Sequence, residues 1–500
     1  MNKKINKNLN HFLFRKNLPW FLFSFALFFL ITLSVLVQKE MGSDGGVYAS
    51  IAWNMAHNIG SLWHPVYTPS VVLPVHTPSF FPPFYEHPSL SMYIHSLFFR
   101  LFGDNFIVDS VYCLFTLLLS LWATVLIWYQ LESSSSRHLL WLVLFCWVAV
   151  PLTTRTYASN AIEDLLTMFT TFSVWASLRA LLNPQKIGIL CMLFASACIS
   201  AAFFSNGLQA FFPLLTPLIY HCVFRKHTWK IILSQTFFLI FFTALMLWAV
   251  LSYHPAYAFI RQYLSQQVIA TFTHARIGNG NYRGFSHLIG IPLILVNLLP
   301  LFFVIGVVFA VWAKKSQKTF SSVMKENTVN KNALFFLLIG LSASLPVLAS
   351  SRQMMHYFLQ AYPFFILMCL AILTPIMARW ISCTNIHAAY YKKILIFTGA
   401  FFIATSIMLV KLYGREAPML QEVNMISTLV PNNSAISVNP TLFQNWNLHT
   451  YFYRYHQIAL TKKPGEPFYL QYQNDHSQPP IGYQKVNLPL QRYVLYKDVG

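Results

Sequence analysis

Apolar residues are gathered into runs along the chain. Runs long enough to cross a bilayer core of about 30 Å, which takes roughly 20 helical residues, lie near 18–37, 107–128, 138–152, 162–182, 188–204, 208–224, 231–252, 288–312, 332–349, 357–378 and 394–410. This pattern predicts an all-α polytopic membrane bundle of about eleven transmembrane helices occupying residues 1–410. Most connections between runs are short. Three are long: 38–106, 253–287 and the tail from Gly414, and long connections in a compact protein tend to carry function. In the first, Val47, Ile51, Met55 and Ile59 recur every fourth residue while Asn54, His57 and Asn58 fall elsewhere. Residues 46–59 therefore read as a helix with an apolar stripe, lying on the membrane surface or against the bundle. A Pro-rich stretch from Pro65 to Pro88 follows, and then SMYIHSLFFRLFG reads as a second interfacial helix ending at Gly103. The tail is polar and punctuated by LVPNNSAISVNP, TKKPGEP and SQPPIGY. Its last run, QRYVLYKDV, alternates like a strand, which predicts a small α/β domain over 411–500.

Composition agrees with a membrane setting: 56% of the 500 residues are hydrophobic and only 10% charged. A formal charge of +20 would suit a nucleic-acid partner, so its distribution decides its meaning. With a cytoplasmic N-terminus, nineteen of the 34 Lys and Arg residues fall in inside segments and eight in the tail, leaving seven in the outside loops. That asymmetry is the positive-inside signature, and it removes nucleic acid from the expected partners. An odd number of spans then places the tail outside. The first run is too long for a signal-peptide core and lacks a small-residue cleavage site, so it is expected to stay as an uncleaved helix. All seven cysteines lie in spans or at the inner face, so the outside parts have no disulfide framework.

Charges near a bilayer are costly and hence informative. Four outside clusters stand at the outer ends of spans: Asp44 in SDGG; Glu86 and His87 in FYEHPSL; Arg155, Glu163 and Asp164 in RTYASNAIEDLL; Arg352 and His356 in SSRQMMHYFLQAYP. Asp44 either caps the helix that follows or, beside two glycines that allow close approach, faces a cavity where it takes a proton from an acceptor hydroxyl. Glu163 and Asp164 suit the first turn of an apolar helix. As helical neighbours they point about 100° apart, so one of them is expected to face a site. Arg352 and His356, four apart, share a helical face, and a guanidinium with an imidazole suits a phosphate, although each could merely snorkel to the interface. Tyr85, Glu86, Tyr157 and Tyr357 are expected to line the cavity. Glu86 and His87 are adjacent ligand types, and without further spacing they do not make a metal site; no cofactor is assigned, and a divalent metal, with Glu86 and His87 as weak candidates, is left open.

These motifs together resemble the GT-C membrane glycosyltransferases, nearest the protein O-mannosyltransferase and lipid A aminoarabinose transferase group. The Asp after the first span, FYEHPSLSMYIHSLFFRLFGDN in the first outside loop, the Arg-Tyr and Asp before the fourth span, and RQMMHYFLQAYPF carry the resemblance, from about Pro19 to Val410. SNGLQAFFPLLTPLIY also resembles a recurring span start of the group, with Asn206-Gly207 where Lys-Gly is usual. The resemblance implies transfer of a sugar from a polyprenyl-phosphate donor to a lipid, protein or glycan acceptor. It makes Asp44 the base or acceptor-orienting carboxylate and Asp164 the second acid. Arg352 and His356, with Arg155, would hold the carrier phosphate. His87 stands where aminoarabinose transferases have a phosphate-binding Lys. The competing reading is a lipid or sugar transporter, which would be expected to show paired discontinuous helices or internal symmetry; neither is visible in the sequence.

Overall fold

The structure is a computed structural model that describes residues 2–36, 41, 43–68, 83–131, 136–269, 289–316, 327–350, 353–383, parts of 392–407, 416–475 and 477–500. Arg352, most of the run 394–410, and residues 69–82 and 270–288 of the long outside segments lie outside the described residues. The chain divides into two compact units. One comprises 1–36, 113–158 and 163–410; the other comprises 37–112, 159–162 and 411–500. This division cuts across a linear boundary at 410, because the first outside loop and the tail fold together.

The first unit is helical. Its elements are α1 (Asn2–Leu36), the body of α4 (Ile107–Leu131), α5 (Trp141–Val148), α6 (Pro151–Tyr157), α7 (Ile162–Leu182), α8 (Pro184–Asn206), α9 (Thr216–Phe224), α10 (Trp229–Leu251), α11 (His254–Tyr263), α12 (Gly290–Ser316), α13 (Asn327–Leu348) and α14 (Tyr362–Cys383). Eight helices among the described residues are long and apolar enough to cross a membrane, or nine if a bent pair counts as one span. Two features account for the difference from eleven. The runs 188–204 and 208–224 join as one apolar stretch, Ile187–Phe224, through a 3-10 segment, Gly207–Leu215, and the last run lies largely outside the described residues. The run near 138–152 is broken: 137–148 and 151–157 are bent by 75°, with Pro151 opening α6, where its missing N–H costs nothing. A second 3-10 segment, Met355–Ala361, leads into α14 and packs against α6 and α13.

In the second unit, α2 (Ser43–Ala56) and α3 (Leu90–Phe102) pack on each other, and α2 also packs on a helix of the tail. The helix foreseen at 46–59 thus begins and ends three residues earlier. Val47, Ile51 and Met55 are buried as the stripe required, while Ile59 lies beyond the helix end. Asn54 is also fully buried, because its amide donates to the carbonyls of Val66 (2.9 Å) and Tyr67 (2.8 Å); buried polar groups are retained where they are hydrogen-bonded. α3 ends at Gly103, whose φ of +80° suits glycine.

The tail forms α15 (Ala417–Ser427), β1 (Ala435–Val438), α16 (Pro440–Phe443), α17 (Trp446–His456), β2 (Ala459–Thr461), β3 (Phe468–Tyr472), β4 (Tyr483–Lys485) and β5 (Tyr493–Asp498). The sheet order is β2-β1-β3-β5-β4, with β1 parallel to β2 and β3, and β5 antiparallel to β3 and β4. The alternating run is β5, whose Tyr493 and Leu495 point into a core with Val423, Ile436, Phe452 and Leu470. Tyr67 joins the first loop to α17: its hydroxyl donates to the carbonyl of Trp446 (2.9 Å), its ring stacks on Trp446, and it bonds Thr450 (2.8 Å). The Tyr453 hydroxyl donates to Asn54 Oδ1 at 3.1 Å.

Candidate active site

Asp44 lies in the first turn of α2, and because the helix already starts at Ser43 it is not the cap. A carboxylate there still favours the helix dipole. It is exposed and makes no hydrogen bond or ion pair among the described residues, although everything from Gly45 to Met55 is buried. The two glycines explain how a buried helix begins beside an exposed acid. A Cβ on Gly45 would lie 1.7 Å from the carbonyl oxygen of Ser159, and one on Gly46 would lie 2.7 Å from Thr450 Cγ2. Gly45 accepts a hydrogen bond from Asn160 Nδ2 at 2.8 Å. Asn160 itself has φ +53°, a left-handed conformation that Asn adopts more readily than most residues. SDGG and the Ser-Asn turn of RTYASNAIEDLL are therefore in direct contact within the second unit.

The same helix reaches the FYEHPSL cluster. Tyr48, four residues after Asp44 and so on the same face, meets the His87 ring edge-to-face at 6.0 Å and Phe84 at 6.4 Å. Tyr85, Glu86 and His87 are half-buried, and burial lifts the Tyr85 phenol above its ordinary pKa. Met92, His95, Tyr112 and Asn160 pack beside Tyr48 and leave no space there for a water molecule.

In the first unit, Glu163 and Asp164 are both buried in the opening turn of α7, with different partners, as their angular offset requires. Asn206 Nδ2 donates to Glu163 Oε1 at 3.4 Å, and Asp164 interacts electrostatically with the buried Tyr157 of α6. Asn206 ends α8, and Gly207 turns the chain at φ +80°, where a Cβ would strike the Tyr263 hydroxyl at 2.2 Å. Two residues on, Gln209 Oε1 accepts from Gln360 Nε2 at 3.1 Å. Gln360 belongs to the 3-10 segment that carries His356 and Tyr357, both half-buried, with rings 4.6 Å apart, and that segment packs on the helix bearing Arg155, which is exposed. The first unit thus gathers Arg155, Tyr157, Glu163, Asp164, His356 and Tyr357 onto adjoining elements.

Sequence reasoning noted Asn206 only as standing where Lys is usual, and passed over Gln209 and Gln360, whose signal was polar side chains inside apolar runs. It also passed over a buried charge cluster in the second unit. His95 Nε2 lies 3.1 Å from Asp109 Oδ1, and Arg454 reaches Asp109 Oδ2 at 3.7 Å while its guanidinium covers Phe99 at 4.5 Å. All three are at most 4% exposed. Burial holds the His95 imidazole below its ordinary pKa against the opposing pull of Asp109. Among the described residues, no three His, Cys, Asp or Glu side chains converge as a metal site.

The architecture has solved counterparts. ArnT from Cupriavidus metallidurans in the apo state superposes with a TM-score of 0.61 at 13% identity, over 94% of this chain and 96% of that one. The same protein bound to undecaprenyl phosphate gives 0.61 at 15% identity, over 96% and 97%. The chain carries the GT-C membrane fold. The GT-C likeness extends to an oligosaccharyltransferase from Archaeoglobus fulgidus in complex with Zn and sulfate, with a TM-score of 0.50 at 10% identity over 89% of this chain and 68% of that one. No family model matches the chain, and no curated protein matches it in sequence. At these identities the likeness speaks for the GT-C fold, and the chemistry has to be argued from the residues.

Proposed function

We propose that the chain is an integral-membrane glycosyltransferase that moves a sugar from a polyprenyl-phosphate donor to an acceptor at the outer face of the cytoplasmic membrane. The observation that carries this reading is Asp44: an exposed carboxylate with no hydrogen bond or ion pair among the described residues, at the start of a buried helix whose Gly45 meets the Ser159-Asn160 turn and whose Gly46 meets Thr450. The GT-C fold, matched across nearly the whole chain by a protein solved with undecaprenyl phosphate, supports the lipid-linked donor.

Asp44 orients the acceptor hydroxyl and takes its proton as the oxygen bonds to the anomeric carbon. The carbon–oxygen bond to the phosphate breaks, and polyprenyl phosphate leaves with the electron pair through an oxocarbenium-like state. Arg352 and His356, with Arg155 and His87, hold the leaving phosphate, and Asp164 is the second acid. Cations at the phosphate and an anion across the sugar stabilise both developing charges. Tyr85, Glu86, Tyr157 and Tyr357 line the donor head and acceptor path. The donor's tail stays in the bilayer, and the N-terminus lies in the cytoplasm. The acceptor is a lipid, protein or glycan, and the sugar a hexose or pentose.

The test is release of polyprenyl phosphate from lipid-linked sugars by purified protein, with Asp44→Asn as control. Consumption by wild type and at least a hundredfold loss in the variant is the expected result. Movement of intact donor between leaflets without cleavage would instead establish a transporter.

A further inference from the structure

The 3-10 segment Met355–Ala361 opens the apolar span Met355–Ala378, and irregular backbone in such a setting persists where other groups satisfy and hold it. Two glutamines do this from its two ends. At the start, the half-buried Gln353 uses both sides of its amide. Its Nε2 donates to the carbonyls of Leu348 (3.0 Å) and Ser350 (3.2 Å), where α13 ends and carbonyls lack helical donors. Its Oε1 accepts from the backbone N–H of Gly290, the first residue of α12, at 2.7 Å. At the far end, the fully buried Gln360 shares its Nε2 between Gln209 Oε1 (3.1 Å) and the carbonyl of Ala343 in α13 (3.2 Å). Pro346 takes one N–H donor out of that stretch of α13, and the Gln360 amide brings one in.

Between these anchors the segment passes from exposed to buried. Met354 and Met355 are exposed, His356 and Tyr357 half-buried, and Phe358 and Leu359 fully buried. Phe358 seats so closely that a Cβ on Gly290 would lie 2.6 Å from its ring and 2.7 Å from Gln353 Oε1. The His356 and Tyr357 rings are therefore carried on a short span fixed three residues before the first and three after the second. Apolar side chains would fill the anchor positions at a smaller desolvation cost. What the amides add is a fixed direction for each end of the span.

We infer that Gln353 and Gln360 are positioning residues that hold His356 and Tyr357 in one pose for the leaving phosphate. They act through the phosphate grip proposed for His356, so the inference rests on that reading. A group that meets developing charge is effective when its supports are locked before the reaction.

The test is a double-mutant cycle on binding of undecaprenyl phosphate to the full chain in lipid nanodiscs. His356→Ala should weaken binding by wild type about tenfold, the contribution of one hydrogen bond to a charged group. Gln360→Leu keeps the bulk and removes the amide; it should weaken binding by a similar factor, and adding His356→Ala should then change it less than about twofold. Gln353→Leu should behave in the same way. Gln209→Leu removes one acceptor and leaves the Ala343 bond, so it should show a smaller loss of coupling and keeps the cycle readable if Gln360→Leu fails to fold. Gln235→Leu is the matched control: a buried amide of α10 bonded to the carbonyl of Ala180 at 3.4 Å, in whose absence His356→Ala should keep its full effect. A merely structural role gives additive losses. Full additivity of His356→Ala with both Gln360→Leu and Gln209→Leu would overturn the inference and leave the glycosyltransferase reading standing. Equal binding by wild type and His356→Ala would overturn the phosphate grip and the inference together.

Discussion

His449 makes the tail acid-sensitive, and the size of the effect follows from its surroundings. The side chain is 2% exposed and its Nε2–H donates to the carbonyl of Phe443 at 2.8 Å. Nδ1 is buried with no partner among the described residues, so a second proton has no acceptor. Burial pushes the imidazole down to about 4, against the smaller upward pull of the Phe443 carbonyl, from an ordinary value of about 6.5. Because the folded pKa is the lower one, the unfolded state binds more protons below pH 6.5, and stability rises with pH. The contribution is complete above pH 6.5 and is lost as pH falls from 6.5 to about 4. Linkage gives a loss of about 2 kcal/mol at pH 5 and about 3 kcal/mol in full. Buried His95 and the half-buried His456 are shifted in the same direction, also by burial, and add to the slope. Hydrogen exchange of the amides of α17, corrected for intrinsic rates, reads this in the full chain in lipid nanodiscs. Protection should fall roughly thirtyfold between pH 7.5 and 5 on account of His449 alone, and His449→Gln should remove that share. The reasoning fails if His449→Gln keeps the whole pH dependence, or if wild-type protection is unchanged at pH 5.

Other predictions follow from single contacts. Gly45→Ala drives a methyl into the Ser159 carbonyl and must move the start of α2; turnover should drop at least tenfold, whereas Gly306→Ala, with nothing within 4 Å of its Cβ and no positive φ, should leave it unchanged. Asp109→Ala leaves His95 and Arg454 buried without their carboxylate and should cost about 3–5 kcal/mol, read as early proteolysis of the tail at pH 7. Asn206→Ala removes the amide facing buried Glu163 and should cost about 1–3 kcal/mol in thermal unfolding.

The bundle was legible because long apolar runs are the direct signature of membrane helices. Local geometry followed too: α3 stops at Gly103, and β5 was visible in its alternation. Pairing between distant segments was not legible. Tyr67 and Trp446, 379 residues apart, carry no periodicity that names the other, so the tail read as a separate domain when it folds with the first loop. Asn54 looked like a solvent-facing position because its buried partners, the carbonyls of Val66 and Tyr67, lie in an irregular stretch. The two glycines of SDGG announced a close approach without saying to what; the answer is the backbone of Ser159 and the side chain of Thr450. The break at Pro151 lay inside a run whose hydropathy is continuous.

The account's central claim is one-sided sugar transfer from a lipid-linked donor, with Asp44 as the base. Its most direct measurement is the release of undecaprenyl phosphate when purified wild type and Asp44→Asn are given undecaprenyl-phosphate sugars extracted from the membranes that produce the chain. Release by wild type, abolished in the variant while both bind undecaprenyl phosphate alike, is the predicted result. Equal release by the two proteins, or no release by wild type while it binds the carrier, would contradict the account.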